Sequence, residues 1–359
     1  MTDATRSGAA SASRRVVYEG SEVAPDYGDV RAEWEALDTG AGLVDAIWRR
    51  YFTAIGEERL DFLHGQTTNH VRGLAPGVGC AALTLTAQGR PLAAFAVYED
   101  GDRVWIATTT GHGESTRAAL SRFLVADDCD FEAEADAICC VVAGPRAAEM
   151  LASVGAVEAS RLGHWGVAAA TIADEPVMLF SRGDLRVPCF DVLACNADGE
   201  ASNAVSVWRT LAAAGARPCG STAFEIVRVE SGTARYGVDV DERRIAVEAR
   251  LEWAIHFDKG CYVGQEVVER AVSRGRVNHE LCLLSVTAGV EPGARVEGGT
   301  ENDVVTSVVD SPRLGRIALA YLPKARSETG SDLKLSQAGT LFDARVLPWP
   351  RPRILAGRA

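Results

Sequence analysis

Apolar residues recur along the chain at spacings that alternate between those of helices and those of strands. Helical spacing predicts helices over residues 30–48, 59–71, 114–125, 147–154 and 204–214. Strand-like apolar runs cover residues 92–98, 103–108, 138–143, 167–172, 177–181 and 187–193. In the third helix, Leu120, Phe123 and Leu124 are expected to face inward. The sequence of strands followed by a helix occurs twice, which predicts two related α/β units.

The last third of the chain has a different pattern. Thr222-x-x-Glu225 is a capping box, and it predicts a helix that runs to Gly232. Short β-rich runs separated by Gly, Pro, Asn and Asp follow at residues 281–286, 304–309, 316–321 and 341–347. They predict a small antiparallel barrel or sandwich at residues 277–348, because the later prolines Pro348, Pro350 and Pro352 cannot continue a central strand.

The eight residues from Lys259 to Glu266 place a thiol between a cation and an aromatic ring. Glycines at 260 and 264 permit a tight turn or the close approach of a ligand, and Lys259 would favour the thiolate form of an exposed Cys261. The competing interpretation is a turn around a buried, inert cysteine, with Gln265 beginning a helix that leads to Arg270. The glycines and the lysine favour a functional site.

This segment resembles the signature of the YgfZ/IBA57 family, folate-binding proteins related to the aminomethyltransferase (T-protein) of the glycine cleavage system and tied to iron–sulfur cluster assembly or repair. The resemblance extends in the expected order over residues 62–69, 76–77, 89–90, 228–232, 235–241 and 274–278. It implies an α+β, T-protein-like folate-binding fold of two related α/β subdomains plus a C-terminal antiparallel β-barrel. The implied boundaries are a flexible N-terminal tail at 1–28, a folate-binding region at 29–276 with subdomains of about 29–130 and 131–276, and a barrel domain at 277–359.

The resemblance implies tetrahydrofolate or a one-carbon derivative as the cofactor. Asp191 matches the family's acidic residue, whose carboxylate would accept the two N–H groups of the pterin edge, or it is a strand-end residue bonded to backbone amides. The family has a glycine-rich turn and a glutamate there, whereas this chain has Val-Pro-Cys-Phe at 187–190. Arg228 would meet a folate carboxylate or form an ion pair with Glu230 or Glu225.

Other candidates lie in the signature and in the first motif, which comprises residues 62–69, 76–77 and 89–90. Gln66, Thr67 and Asn69 would line the cavity or cap the preceding helix. The remaining candidates for contact with the cofactor are Tyr236, Tyr262, Trp253 and Gln265. The aromatic residues among them are equally suited to the core. Cys261 and Lys259 are the candidates for redox or cluster-related chemistry, and no metal ligands are predicted.

The residues at positions 93 and 94 distinguish between the possible functions. In aminomethyltransferases the stretch matching residues 88–94 ends in a pair of aspartates, whereas this chain has Ala93 and Ala94. Alanine cannot hold an ammonium group or move a proton, so we expect tetrahydrofolate binding by an accessory protein of iron–sulfur cluster assembly or repair. The alternatives are a folate-dependent aminomethyltransferase or demethylase with its acid–base group at Asp100 or Asp102, and an interaction protein that has lost the ligand.

Composition narrows the class of protein. The net charge of −12 argues against direct binding to nucleic acid or to an anionic membrane, and no apolar run approaches the ~20 residues that cross a bilayer. The nine cysteines have no zinc-site spacing, which favours reduced thiols in a reducing compartment. We expect a cytoplasmic monomer whose partners are folate and iron–sulfur client or assembly proteins.

Overall fold

The computed structural model describes residues 14–133, 137–273 and 277–350. These residues form two compact units. The first unit runs from the first described residue to Gln66 and includes His70–Ala82 and Phe95–Val227. The second unit contains Thr67–Asn69, Leu83–Ala94 and the described residues from Arg228 onward.

Seven α-helices and nineteen strands occur in the described part of the chain. The helices are α1 Val30–Thr39, α2 Arg59–Gln66, α3 Gly113–Ser121, α4 Ala147–Ser153, α5 Ala204–Ala213, α6 Ser221–Glu230 and α7 Gln265–Ser273. The strands up to the middle of the chain are β1 Val16–Tyr18, β2 Ser21–Val23, β3 Gly42–Asp45, β4 Arg49–Ile55, β5 Val78–Leu85, β6 Pro91–Glu99, β7 Val104–Thr109, β8 Asp130–Phe131 and β9 Cys139–Ala143. The later strands are β10 Val167–Ile172, β11 Glu175–Arg182, β12 Cys189–Leu193, β13 Arg217–Cys219, β14 His279–Val286, β15 Arg295–Val296, β16 Val305–Ser311, β17 Gly315–Pro323, β18 Asp332–Gln337 and β19 Thr340–Val346.

Two sheets account for the two α/β parts. One has the strand order β5-β6-β7-β4-β8, and the other has the order β10-β11-β12-β9-β3-β13, in which β13 pairs with β3 in parallel. In the second sheet, Val142 and Val192 share a buried apolar cluster with Leu151 of α4 and with Trp208 and Leu211 of α5. Burial of these side chains is the main stabilising contribution to this layer.

The C-terminal strands form a half-barrel. Its antiparallel sheet has the order β15-β18-β19-β14-β17-β16, and its interior contains Leu284, Ala318 and Leu335. Near the two edges, Gly293 N donates to Val305 O and Val305 N donates to Ala294 O, both at 2.8 Å. The predicted fold, two α/β parts followed by an antiparallel barrel, is confirmed.

Several predicted helix bounds are wrong. The helix expected over 30–48 ends at Thr39, where Gly40 N donates to Ala36 O, and the chain then forms β3. All four residues of β3 are buried, so no alternation distinguishes that strand from a helix. The helix expected over 59–71 ends at Gln66, because Thr68 N donates to Leu83 O instead of continuing the helix.

Two further local predictions are wrong. Helix α3 ends at Ser121, and Phe123, expected to face inward, is 46% exposed. Helix α6 begins at Ser221, one residue before the predicted capping threonine. The N–H groups of Ser221 and Thr222 donate to Ala24 O and Pro25 O, and Glu225 accepts a hydrogen bond from Tyr18. The sequence at this helix start is thus explained by tertiary contacts and not by a capping box.

The N-terminal region contains structure that the apolar pattern did not indicate. Within the predicted tail 1–28, strands β1 and β2 form an antiparallel hairpin. The first thirteen residues lie outside the described residues, as do Arg274, Gly275 and Arg276 of the motif 274–278 and Pro352 of the proline tail. Among the helices that the structure describes, none combines the length and the apolar content needed to cross a membrane.

Candidate functional site

Asp191 lies in the middle of β12, in the first unit, and is fully buried. Its Oδ2 accepts hydrogen bonds from Arg49 Nε at 2.7 Å and from the Tyr51 hydroxyl at 2.5 Å. Its Oδ1 is 3.5 Å from Arg182 Nη1. The alternative of a strand-end residue bonded to backbone amides is therefore wrong for Asp191. Because Oδ2 already has two donors, Oδ1 is the oxygen with capacity left for a ligand N–H group.

The groups around Asp191 form a balanced network. Arg182 also pairs with Asp184 at 2.5 Å, which gives two arginines for two carboxylates. Burial raises the pKa of Tyr51 well above its ordinary value, and the nearby Asp191 raises it further, so this hydroxyl stays protonated and donates. Burial alone would lower the pKa of Arg49, but Asp191 outweighs this effect and keeps the guanidinium charged.

The partners of Asp191 were not expected from the sequence. Arg49 and Tyr51 lie on β4, and Arg182 is the last residue of β11. The only signal for them was the presence of charged residues at Arg49 and Arg50 within an otherwise apolar strand, and such a signal does not identify a partner more than a hundred positions away.

Arg228 forms a buried ion pair in the second unit with Asp239, a partner that was not expected from the sequence. The distance from Arg228 Nη1 to Asp239 Oδ2 is 2.7 Å, and Nη2 donates to Ser307 Oγ at 2.8 Å. Asp239 Oδ1 accepts from Thr306 and Ser307. Glu230, one of the two predicted partners, accepts a hydrogen bond from Ser311 at 2.5 Å. This geometry assigns Arg228 a clear structural task between α6 and β16.

The aromatic and amide candidates occupy separate positions in the second unit. Tyr236 is half-buried and donates to Leu92 O at 2.6 Å; burial raises its pKa to about 12, with Glu242 and Asp241 adding to the effect. Tyr262 is half-buried, and burial raises its pKa as well. Gln265 begins α7, as in the competing interpretation of this segment, and donates to Glu269. Trp253 is half-buried in a short 3₁₀ turn.

The polar residues of the first motif belong to both units. Gln66 ends α2 and is half-buried, Thr67 is fully buried, and Asn69 is half-buried. The ammonium of Lys259 donates to Thr67 O and lies 5.1 Å from the ring centroid of Tyr262. The structure thus brings Thr67, Lys259 and Tyr262 together.

Cys261 differs from every other cysteine in the chain because it is exposed. Of the remaining eight, Cys80 is half-buried and the others are buried. Burial is the main cause of raised pKa values at the thiols of Cys129, Cys139, Cys140, Cys189, Cys195, Cys219 and Cys282. Cys261 is therefore the thiol that is most accessible to a solute or a protein partner.

Ala93 and Ala94 lie on β6, directly after Leu92, whose carbonyl accepts from Tyr236. Ala93 is buried and Ala94 is half-buried. Asp100 and Asp102, the alternative acid–base candidates, lie in the turn between β6 and β7. Asp100 Oδ1 accepts the N–H groups of Asp102 and Arg103, and its Oδ2 accepts the Trp105 indole N–H at 2.6 Å. Among the described residues, no group of three or more His, Cys, Asp or Glu side chains is arranged to hold a metal ion.

Comparisons with known proteins cover nearly the whole chain. A model of the GCVT N-terminal domain matches residues 6–259, and one of the glycine cleavage T-protein C-terminal barrel domain matches residues 280–351. An aminomethyltransferase from Rubrobacter xylanophilus is 29% identical over 345 residues, which are 94% of this chain and 90% of that protein. A putative chloroplastic transferase from Arabidopsis thaliana is 25% identical over 321 residues, 84% of this chain and 70% of that protein.

A solved structure has the same fold. The crystal structure of the glycine cleavage system aminomethyltransferase T from Bartonella henselae superimposes with a TM-score of 0.81 at 19% identity, and covers 97% of this chain and 95% of that one. The T-protein-like fold expected from the sequence is thereby confirmed. With both of its domain models matched, the chain belongs to the glycine cleavage T-protein family of folate-dependent, aminomethyltransferase-like proteins.

Proposed function

We propose that this protein binds tetrahydrofolate or a one-carbon derivative of it, and that it does so without efficient aminomethyl transfer. Membership of the T-protein family supports the folate ligand. The proposal that aminomethyl transfer is inefficient rests on Ala93 and Ala94 of β6, because the aminomethyltransferase motif has aspartates at these positions. A methyl group cannot hold the substrate amine or move its proton, so the charge that develops during transfer has no partner at this position.

The finer proposal is a role of the YgfZ/IBA57 type, as an accessory protein in iron–sulfur cluster assembly or repair. Its support is the signature around Cys261 together with the exposure of that thiol among otherwise covered cysteines. The accessible thiol would attack a client disulfide to form a transient mixed disulfide, releasing the client's other sulfur as a thiolate, or would bind a cluster iron temporarily.

The second candidate is a folate-dependent aminomethyltransferase or demethylase, and the relatives named aminomethyltransferase favour it more directly than they favour the accessory role. It requires an acid–base group from elsewhere. Asp241 and Glu242 lie close enough to Tyr236 to raise its pKa. Burial alone would raise the pKa of Asp241, but hydrogen bonds from Arg243 lower it overall, so Asp241 stays ionised and is a poor proton donor.

Anaerobic calorimetric titration with tetrahydrofolate tests the shared part of both candidates. Saturable binding of tetrahydrofolate by the wild-type protein would support the proposed ligand. An affinity that falls in Asp191→Asn but not in Asp198→Asn, a control at an exposed residue, would support contact between Asp191 and the ligand. Binding should also raise the melting temperature, since ligand at about 100 Kd adds roughly 2.7 kcal/mol. Absence of binding to folded protein would instead favour an interaction protein without ligand.

Two assays separate the candidates once binding is established. Formation of one-carbon folate from tetrahydrofolate and a methylated amine or sulfonium donor would select the transferase and overturn the accessory role. Loss of activity of an iron–sulfur client enzyme in cells carrying Cys261→Ser, with normal activity in Cys80→Ser, would select the accessory role. Normal client activity in both strains would remove Cys261 from the mechanism.

A further inference from the structure

Lys259 is one of only three lysines in the chain, and it is 6% exposed. Its ammonium donates to the carbonyl oxygen of Thr67 at 2.5 Å and lies 5.1 Å from the centroid of the Tyr262 ring. Burial of an ammonium group is costly unless its charge and its donors are compensated. A carbonyl oxygen and the negative face of an aromatic ring supply that compensation here.

The acceptor carbonyl belongs to a segment that is itself held firmly. The Thr68 hydroxyl donates to Ala254 O at 2.7 Å and accepts from Leu83 N at 3.0 Å. The Thr68 backbone N–H donates to Leu83 O, and Thr68 O accepts from His256 N at 2.9 Å. Both Thr67 and Thr68 are fully buried. Thr67 O is therefore a fixed point on the backbone of the second unit.

The signature turn is also held at its other end. Gly264 packs against the turn between β5 and β6, where a Cβ on Gly264 would meet Thr86 O at 2.5 Å. Between the two ends the contacts are sparse, since a Cβ on Gly260 would meet nothing within 4 Å and Cys261 is exposed. The position of the Cys261 turn thus depends on its two ends.

We infer that Lys259 is a positioning residue for Cys261, acting through its hydrogen bond to Thr67 O and its contact with the Tyr262 ring. It fixes the N-terminal end of the turn that presents the thiol, and so sets where a client meets it. This inference rests on the proposed function for its biological meaning, in which Cys261 is the group that contacts the client. The positional effect itself does not depend on folate or on a client.

The test attaches a nitroxide spin label to native Cys261 and records its mobility by electron paramagnetic resonance. The comparison is between wild-type protein, Lys259→Met and the exposed-lysine control Lys334→Met. Lys259→Met should shorten the rotational correlation time of the label about threefold and raise amide exchange at residues 260–263 about tenfold. Lys334→Met should match the wild type, because that lysine is 51% exposed on the barrel and pairs with Asp343.

Thr68→Val gives an independent route that leaves Lys259 in place. It removes the hydroxyl that joins Leu83 to Ala254, so it should loosen the Thr67 anchor and mobilise the label in the same direction. The double variant should add little to either single change, since both act on one connection. A label in Lys259→Met and Thr68→Val as immobile as in the wild type would overturn the inference.

The spin-label experiment and the test of the proposed function can fail independently of each other. Absence of tetrahydrofolate binding by the wild-type protein contradicts the folate proposal and leaves the spin-label result unaffected. A mobile label together with full client activity would show that Lys259 positions the turn without that position serving the client, which overturns the functional part of the inference.

Discussion

Gly264 of the signature packs against Gly89 of the first motif, and the position of Gly264 has no room for a side chain. A Cβ on Gly264 would lie 3.2 Å from Gly89 Cα and 2.5 Å from Thr86 O, and a Cβ on Gly89 would lie 3.0 Å from a methyl carbon of Val267. Gly264 also has a φ of +86°, which side chains rarely adopt. Two motifs that are far apart in sequence are thereby explained by one contact in the second unit.

Replacement of Gly264 by alanine should therefore destabilise the protein. We expect a loss of about 3 kcal/mol in the free energy of unfolding, from the left-handed backbone and from overpacking against Thr86 O. Gly260→Ala is the matched control in the same motif, and it should cost less than about 1 kcal/mol because its Cβ meets nothing. Urea unfolding of both variants checks this, and equal stabilities would contradict the packing argument.

Native protein should contain one rapidly reacting thiol. Titration with an aromatic disulfide reagent under native conditions should modify Cys261 quickly and the half-buried Cys80 more slowly. The seven buried cysteines should react only after unfolding, since burial raises their pKa values and blocks access. Cys261→Ser should remove the fast phase entirely. A fast phase that survives this substitution would show that another cysteine is accessible.

Removal of the Arg228 guanidinium should lower the stability of the folded protein, whether or not it also weakens ligand binding. Arg228→Met leaves Asp239 buried without its charged partner, and we expect a loss of about 3 kcal/mol or more in unfolding free energy. Arg243→Met is the control: it breaks the pair with Asp241, but its side chain is 82% exposed, so it should cost little. If Arg228→Met is as stable as the wild type but binds folate more weakly, Arg228 contacts the ligand, which is one of the two roles expected from the sequence.

The stabilising role of Glu280 should depend on pH. Glu280 is buried and pairs with Lys324 at 2.6 Å and with Arg250 at 3.1 Å. Burial alone would raise its pKa, but hydrogen bonds from Lys324 and Ser327 and the charge of Arg250 lower it overall. A carboxyl whose pKa is lower in the folded state stabilises the protein above the unfolded-state value of about 4.3, and this contribution is lost as the pH falls through the folded-state value.

Glu280→Gln should accordingly be less stable than the wild type by about 3 kcal/mol at about pH 7. The difference should persist to about pH 5 and shrink below about pH 4, as the wild-type carboxyl becomes protonated. Denaturant unfolding at these pH values measures it. The control is Asp343→Asn, which removes the exposed pair with Lys334. A difference that stays constant down to about pH 3 would rule out the ionised carboxylate as its source.

The amino-acid sequence by itself determined the architecture and the relation to the T-protein family. Strand-forming runs such as 167–172 and 177–181 correspond closely to β10 and β11, because alternating or continuous apolar runs bounded by turn residues are a local property of the chain. The order of the motifs, from residues 62–69 to the Cys261 signature, led to the T-protein fold that the structural comparison bears out. Whether Cys261 is exposed or buried was left open by its glycine-rich surroundings, and the structure shows that it is exposed.

Only the tertiary structure decided which partners the candidate residues have. Arg49 and Tyr51 donate hydrogen bonds to Asp191, which is more than a hundred positions away in the sequence. Arg228 pairs with Asp239. Buried charges need hydrogen-bond or ionic partners, and the fold determines which groups are near enough to serve. The end of α2 at Gln66 was decided in the same way, by the hydrogen bonds between Thr68 and Leu83. Such pairings depend on contacts distant in sequence, which local spacing and residue type do not encode.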